Sequence, residues 1–284
     1  MINVLVTGSN GQLASCIKDR AKQHKGLHFI YTDYQELDIC NLNDVKKFFK
    51  TNKKIDYCIN CAAYTAVDKA ETEVEKAFEI NAKGVKNLAL VSDEQDAILI
   101  HVSTDFVFDG DKTEPYAETD IPKPISVYGA SKRQGEVEIQ KTLKRHFIIR
   151  TSWLYSEHGA NFMKTMLRLA ETRDEISVVS DQIGSPTYAG DLADAILKII
   201  NSKNTNFGLY HYSNEGVASW FDFAKAIFEA SNLKIKVNAI KTEAYPTLAK
   251  RPKYSVLSLE KVTKTFNIQL YKWEIVLKQL LIRF

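Results

Sequence analysis

The sequence has little that would staple, anchor or polarise it. Its four cysteines, Cys16, Cys40, Cys58 and Cys61, all fall in the first quarter of 284 residues, too few and too clustered for a disulfide framework. Cys58 and Cys61 form a CxxC, a spacing used in redox and zinc sites. No second Cys/His pair lies nearby to complete a tetrahedral zinc site, and Cys58 stands inside the apolar run Tyr57–Ile59, where a thiol behaves as a small core hydrophobe. Long hydrophobic runs are missing too. Stretches such as Ala97–Val102 and Phe147–Ile149 are far shorter than the roughly 20 residues of a membrane-spanning helix and have the length of strands. Nor is there an excess of one charge: 38 Lys+Arg against 35 Asp+Glu leave a net +3, and pairs such as Lys46–Lys47 and Lys53–Lys54 read as solvated helix surface. This argues against nucleic-acid and membrane partners. The amino terminus enters a strand pattern at Ile2 with no basic segment or cleavage site, which predicts a cytoplasmic protein. What remains is an ordinary globular composition, 45% hydrophobic and 26% charged, in a chain long enough to bury its own core.

The first 150 residues alternate short apolar runs with amphipathic stretches. Asn3–Val6, Phe29–Tyr31, Tyr57–Asn60, Ala97–Val102 and Phe147–Arg150 are continuous rather than alternating, as strands buried on both faces should be. Helical spacing runs through Gln12–Lys22, Leu42–Lys50, Val74–Ser92 and Gly129–Leu143. The alternation predicts an α/β, Rossmann-type doubly wound parallel sheet over residues 1–150. Beyond Thr151, sparser strands (Ser177–Val179, Leu209–His211, Lys234–Ile240) mix with helices near Phe162–Glu171, Asp191–Ile200, Trp220–Ala230 and Glu260–Leu281. Residues 151–284 therefore read as a smaller α/β substrate lobe, with a soft boundary because Asp191–Ile200 could return to the first sheet.

Directly after the first strand comes Thr7-Gly8-Ser9-Asn10-Gly11-Gln12-Leu13-Ala14. A lone GxxG is weak, but strand, Gly-containing turn and helix in that order place a helix N-terminus against a dinucleotide pyrophosphate. Gly8 would make the turn, Gly11 would let the backbone approach, and Ala14 takes the third glycine's place. Asp33 ends the second strand, where a carboxylate accepts from a ribose 2′-OH and repels a 2′-phosphate. With no arginine beside Asp33 to receive a phosphate, this favours NADH over NADPH. Asp38 before Ile39 suits an adenine amino group, with the apolar side chain against the ring.

Tyr128-Gly129-Ala130-Ser131-Lys132 is a YxxxK, which sets a phenol and an ammonium on one helix face. A nearby cation favours phenolate, so the tyrosine can exchange a proton with a carbonyl oxygen. With 13 tyrosines in the chain about one YxxxK is expected by chance, so position has to decide. The motif follows the long loop after the fourth strand, which ends His101-Val102-Ser103-Thr104-Asp105-Phe106-Val107-Phe108-Asp109-Gly110. Strand carboxyl ends carry the ligand in such sheets. Thr104 can bond a substrate oxygen there, and Asp105 sugar hydroxyls.

Taken together, GSNGQLA, NCAAYTAVDKAE from Asn60, STDFVFDG from Ser103, YGASK from Tyr128, RTSWLY from Arg150, NFMKTMLRLA from Asn161, DQIGSPT from Asp181 and AKRPKYSVLSL from Ala249 resemble the dTDP-4-dehydrorhamnose reductases, a branch of the extended short-chain dehydrogenase/reductases. The resemblance implies reduction of a 4-keto group on a dTDP-sugar with NADH or NADPH. It also implies Tyr128 as proton donor, Lys132 on the cofactor ribose and lowering the Tyr128 pKa, and Thr104 assisting. By the same resemblance Asn10 to Gln12 cradle the pyrophosphate, Leu13, Ala62, Ala63, Tyr64 and Val102 line the cofactor, and Trp153 lies against the sugar with Thr104 and Asp105. Asn81 would brace the active-site strands, and Arg251 is the candidate for the diphosphate. Some members form magnesium-bridged dimers through two glutamates. The corresponding residues here, Cys16 and Gly190, offer no hard oxygen ligand, which predicts no metal and a monomer or weak dimer. Two other readings of the fold are a cofactor-binding regulatory subunit like that of methionine adenosyltransferase and a nucleotide-sugar epimerase.

Overall fold

The computed structural model describes residues 1–283, and its first half repeats strand and helix as the apolar runs predict. In chain order these are β1 (Ile2–Thr7), α1 (Gln12–Ala21), β2 (Leu27–Thr32), α2 (Leu42–Thr51), β3 (Tyr57–Asn60), α3 (Val67–Ala70), α4 (Val74–Phe78), α5 (Val85–Glu94), β4 (Ile98–Thr104), α6 (Val127–Thr142) and β5 (His146–Thr151). There follow β6 (Leu154–Tyr155), α7 (Phe162–Ala170), β7 (Glu175–Val179), β8 (Ile183–Gly184), β9 (Thr187–Tyr188), α8 (Ala189–Ser202), β10 (Gly208–His211), β11 (Ala218–Ser219), α9 (Trp220–Ala230), β12 (Lys236–Ile240), α10 (Glu260–Phe266) and α11 (Trp273–Ile282). The main sheet has the order β2-β1-β3-β4-β5-β10, and every neighbouring pair is parallel. Strands β3 and β5 are buried at every residue, which is why their sequences are continuous apolar runs.

One face of the sheet packs on α1, α8 and α10 through residues such as Val4, Ile17, Ile196 and Phe266. The other packs on α2, α5 and α6 through Leu5, Val45, Leu88 and Ile139. The order turns at β1, since α1 leads outward to β2 whereas α2 leads back to β3. A crevice therefore opens outside the carboxyl ends of β1 and β3, where open α/β sheets bind ligands.

A separate apolar core, including Tyr155, Met163, Phe223, Trp273 and Leu277, joins α7, α9, α11 and the β7–β12 pair into the second lobe. The chain does not cross between lobes once. Helix α8 packs on α1, β10 pairs with β5, and α10 returns to the first core, so Ala189–His211 and Glu260–Phe266 belong with residues 1–150. The outer edge of β5 would otherwise present unpaired backbone groups, and β10 covers it.

Two predicted helices are divided. The stretch expected as Val74–Ser92 is α4, a π-helical turn over Glu79–Gly84, then α5; the extra residue turns Asn81 inward, a feature π-bulges share at functional sites. The stretch expected as Glu260–Leu281 is α10 and α11, because Asn267 adopts φ 50° and caps α10 in the left-handed region. Cys58 is fully buried in the core, and burial pushes its thiol pKa well up, the state of a structural thiol.

Candidate active site

The turn after β1 is built for close approach. Gly8 has φ 64°, and a Cβ there would lie 2.6 Å from the Ala62 backbone nitrogen at the end of β3. Helix α1 has no side-chain N-cap and no acidic residue in its first turn. Its first amides are therefore left for an anion, and the positive end of the helix dipole is unopposed. A phosphate fits this cradle. We expect Gly8→Ala to weaken dinucleotide binding more than about tenfold, since the left-handed conformation alone costs ~1–2 kcal/mol; fluorescence titration with NADH and NADPH measures it.

The phosphate-loop side chains divide their work. Leu13 is buried in the core, so only its backbone faces the crevice. The Gln12 carboxamide oxygen accepts from Asn161 Nδ2 at 2.9 Å and from Ser156 Oγ at 3.1 Å, which ties the phosphate helix to the second lobe rather than pointing at a phosphate. Asp33 accepts the Asn10 amide at 2.9 Å and the Tyr34 amide at 2.7 Å, fixing its carboxylate at the rim of the loop. Asp38 accepts the Cys40 amide, while Ile39 is buried beside Gly84. The Ile39 side chain is thus a core contact, and adenine would meet the half-exposed Asp38 end of this turn.

Across the crevice, Ala62 and Ala63 are partly exposed and Tyr64 is buried. Asn81 accepts the Tyr64 amide at 2.9 Å and donates to the Tyr64 carbonyl and to Ser131 Oγ, each at 3.0 Å. It thereby joins the segment after β3 to α6.

Helix α6 starts with Ser126 capping the Gly129 amide. A Cβ on Gly129 would come within 2.2 Å of the Phe106 carbonyl oxygen, so only glycine lets the helix lie this close to the loop after β4. That proximity brings Tyr128 to Phe106, ring centroids 5.5 Å apart, and to Thr104 and Asp105. The Tyr128 phenol pKa is pushed up to about 12 by burial, with the Thr104 hydroxyl opposing and Asp105 adding to the rise. Lys132 is buried; its ammonium donates to the Val102 carbonyl at 2.7 Å and lies 3.4 Å from His101 Nε2. The expectation that Lys132 lowers the Tyr128 pKa is thus not met in this arrangement: burial dominates, and Lys132 is turned to the end of β4. Burial also brings the Lys132 pKa down to about 8, against the pull of Glu136.

Asp105 carries the clearest request for a ligand. It is 2% exposed, and Oδ1 accepts from Thr104 Oγ1 at 3.0 Å. Oδ2 is buried with no partner at hydrogen-bond geometry, and burial lifts the Asp105 pKa to about 6 against the Ser255 and Thr104 hydroxyls. A sugar hydroxyl would satisfy it. Trp153 lies two residues past Thr151, the register partner of Thr104, and so stands at the same end of the sheet. Arg251 is less free than the sequence suggests: Nη1 and Nη2 meet Asp68 at 3.1 and 2.7 Å, and the pair holds the Asp68 carboxyl below its usual range.

Residues to which the motifs assign no role complete the site. Thr7 donates to Asn60 Oδ1 at 2.7 Å, and Asn60 Nδ2 faces His101 Nδ1 at 3.0 Å, so three strands meet beneath Lys132. Ser103, Glu136 and Arg150 form a buried network behind Thr104. Thr7, Asn60, Ser103 and Arg150 stand within motif blocks of the sequence, but strand register sets their partners, and Glu136 is brought in by the packing of α6.

The family model described as the RmlD substrate binding domain matches residues 2–284. The chain is 44% identical to the dTDP-4-dehydrorhamnose reductase of Aggregatibacter actinomycetemcomitans over 99% of its length and 98% of that protein's. Among solved structures, a dTDP-4-dehydrorhamnose reductase from Clostridium acetobutylicum superposes with a TM-score of 0.94 at 44% identity, covering 99% of each chain. The enzyme of that name from Bacillus anthracis, in complex with NADP, does so with a TM-score of 0.96 at 42% identity, covering 100% of each. Matched in this way over nearly its whole length, the chain belongs to the RmlD family, the dTDP-4-dehydrorhamnose reductases.

Proposed function

We propose that the protein reduces the 4-keto group of dTDP-4-dehydro-β-L-rhamnose to give dTDP-β-L-rhamnose, the last step in making that activated sugar. The observation that carries this is the placement of Tyr128, brought by the close approach of α6 to the loop after β4 beside Thr104 and the buried carboxylate of Asp105, at the strand ends next to the phosphate cradle. A bound NADH or NADPH supplies the hydride. The protein's part is to hold the ketone: Thr104 and Tyr128 donate to its oxygen, Asp105 accepts from the ring hydroxyls, and Trp153 lies against the sugar. As the carbon gains hydride, the Tyr128 proton passes to the oxygen and leaves a phenolate, while Lys132 holds the cofactor ribose. Solvent then restores the phenol. Asp68 orients Arg251, which reaches the diphosphate by sharing that contact or displacing it.

Oxidation of NADH and of NADPH, followed by absorbance with enzymatically generated dTDP-4-dehydro-L-rhamnose, tests the proposal. Cofactor binding without turnover would favour a regulatory subunit, and copurification of tightly held NAD an epimerase. Asp33 supports a preference for NADH, since its carboxylate, fixed by the loop amides, repels a 2′-phosphate. The Bacillus anthracis relative binds NADP, so the two cofactors need comparison in one assay. Asp33→Ser should raise the NADPH-to-NADH ratio of kcat/KM by about tenfold.

A monomer or weak dimer without bridging magnesium is supported by Gly190, where a Cβ would come within 2.5 Å of both Tyr188 and Arg20. Light scattering with and without magnesium tests it. Among the described residues, no helix is long and apolar enough to cross a membrane, and substrates of this class support a cytoplasmic place.

A further inference from the structure

Trp153 is the one residue of the sugar site whose backbone is strained. Its φ is 46°, a region that bulky side chains rarely enter, so its surroundings must hold it there. Two contacts do so. The Trp220 ring stacks on the Trp153 ring with centroids 3.6 Å apart and 7° between planes. The Gly184 backbone lies so close to the indole that an added Cβ would be 2.6 to 2.8 Å from Cε2, Nε1 and Cζ2.

We propose that Trp220 and Gly184 are positioning residues that set the indole of Trp153 as a fixed wall of the sugar site. The proposal rests on the reading of Trp153 as a sugar contact. Trp220 and Gly184 are neighbours by construction, because β11 pairs with β8 and puts Ala218 opposite Gly184. Trp220 is the first residue of α9, whose start is locked by a capping box between Ser219 and Asp222, so its ring is anchored at the helix terminus. Phe162 supports it from α7, ring centroids 4.6 Å apart. The Trp153 backbone is pinned in turn, its carbonyl accepting the Thr187 amide. Trp153 remains half-buried, so part of its indole stays open to a sugar. A freely rotating indole would have to be ordered each time a sugar binds, and the stack removes that cost.

The test compares Trp153→Ala, Trp220→Leu, Trp220→Phe and Gly184→Ala. We expect Trp220→Leu and Gly184→Ala to raise KM for the sugar nucleotide about tenfold, with KM for the cofactor unchanged, and Trp220→Phe to restore most of the affinity. Near-ultraviolet circular dichroism should lose the signal of the stacked indoles in Trp220→Leu and Trp153→Ala alike. If Trp153→Ala raises KM while Trp220→Leu and Gly184→Ala do not, the positioning role is overturned and the sugar contact stands. If Trp153→Ala itself leaves KM unchanged, the sugar contact fails and the proposal with it. Should Trp220→Leu fail to fold, Gly184→Ala alone decides, since it displaces the indole with Trp220 in place.

Discussion

Tyr128→Phe lowers kcat for the ketone by about 10²- to 10⁴-fold and leaves cofactor binding intact, as absorbance assays and fluorescence titration will show. Only the hydroxyl is removed, so the ring keeps its contact with Phe106 and the fold is undisturbed. The loss falls on kcat because the proton is needed as charge develops on the oxygen, not when the ketone binds. The pH profile follows from the same groups. Tyr128, pushed up to about 12, stays protonated through neutrality and sets neither limb. Raising pH through about 8 removes the Lys132 charge and with it the ammonium that would hold the cofactor ribose, so activity falls on the alkaline side. Lowering pH through about 6 protonates Asp105, which removes a charged acceptor for sugar hydroxyls, so kcat/KM falls on the acid side. An optimum between those values is expected, and Asp105→Asn should flatten the acid limb.

The second large effect is on stability. Arg150 and Glu136 are both fully buried and meet through two hydrogen bonds, Nε to Oε1 at 2.8 Å and Nη2 to Oε2 at 2.6 Å. Ser103 donates to Glu136 at 2.6 Å and Arg133 at 2.9 Å, while His211 Nε2 lies 3.4 Å from Arg150. Burial alone would raise the Glu136 pKa, but the Arg150 contacts outweigh it and hold the carboxyl below its usual range. Because the folded-state value lies below the unfolded one, the stabilisation is complete above about pH 4.3 and is lost as pH falls below it. Glu136→Ala strands the guanidinium in the core and should cost about 3–5 kcal/mol, measured by urea unfolding. The Glu136→Met, Arg150→Leu double variant should lose less than either single change, because it leaves no unpaired charge. The network binds β4, α6, β5 and β10 directly behind Thr104, so the single variants should lose activity as well.

These two effects differ in how far a reader of the chain could foresee them. Tyr128 and Lys132 announce themselves by helical spacing, and Gly8 by its place between a strand and a helix. Glu136 and Arg150 carry no such mark: an arginine in an apolar strand is meaningful only once α6 lies across β5. The division of the predicted Val74–Ser92 helix has the same origin, since the π-helical turn forms where Asn81 must face Tyr64 and Ser131 across three elements. Arg251 looked like a free anion ligand until the fold brought Asp68, 183 residues earlier, against it. Trp153 could be nominated from its sequence surroundings, whereas Trp220 and Gly184 gain meaning only from the β8–β11 pairing.

The parallel sheet, the phosphate turn and the phenol–ammonium pair are legible in the chain alone, because they depend on short continuous apolar runs, on a helical period of 3.6 and on glycine at one sharp turn. The return of α8 and β10 to the first core, the Asp68–Arg251 pairing, the buried ion pair and the stacked indoles emerge only on folding. Such contacts join residues tens to hundreds of positions apart, and whether a buried charge or ring finds its partner depends on register and packing that no local pattern encodes.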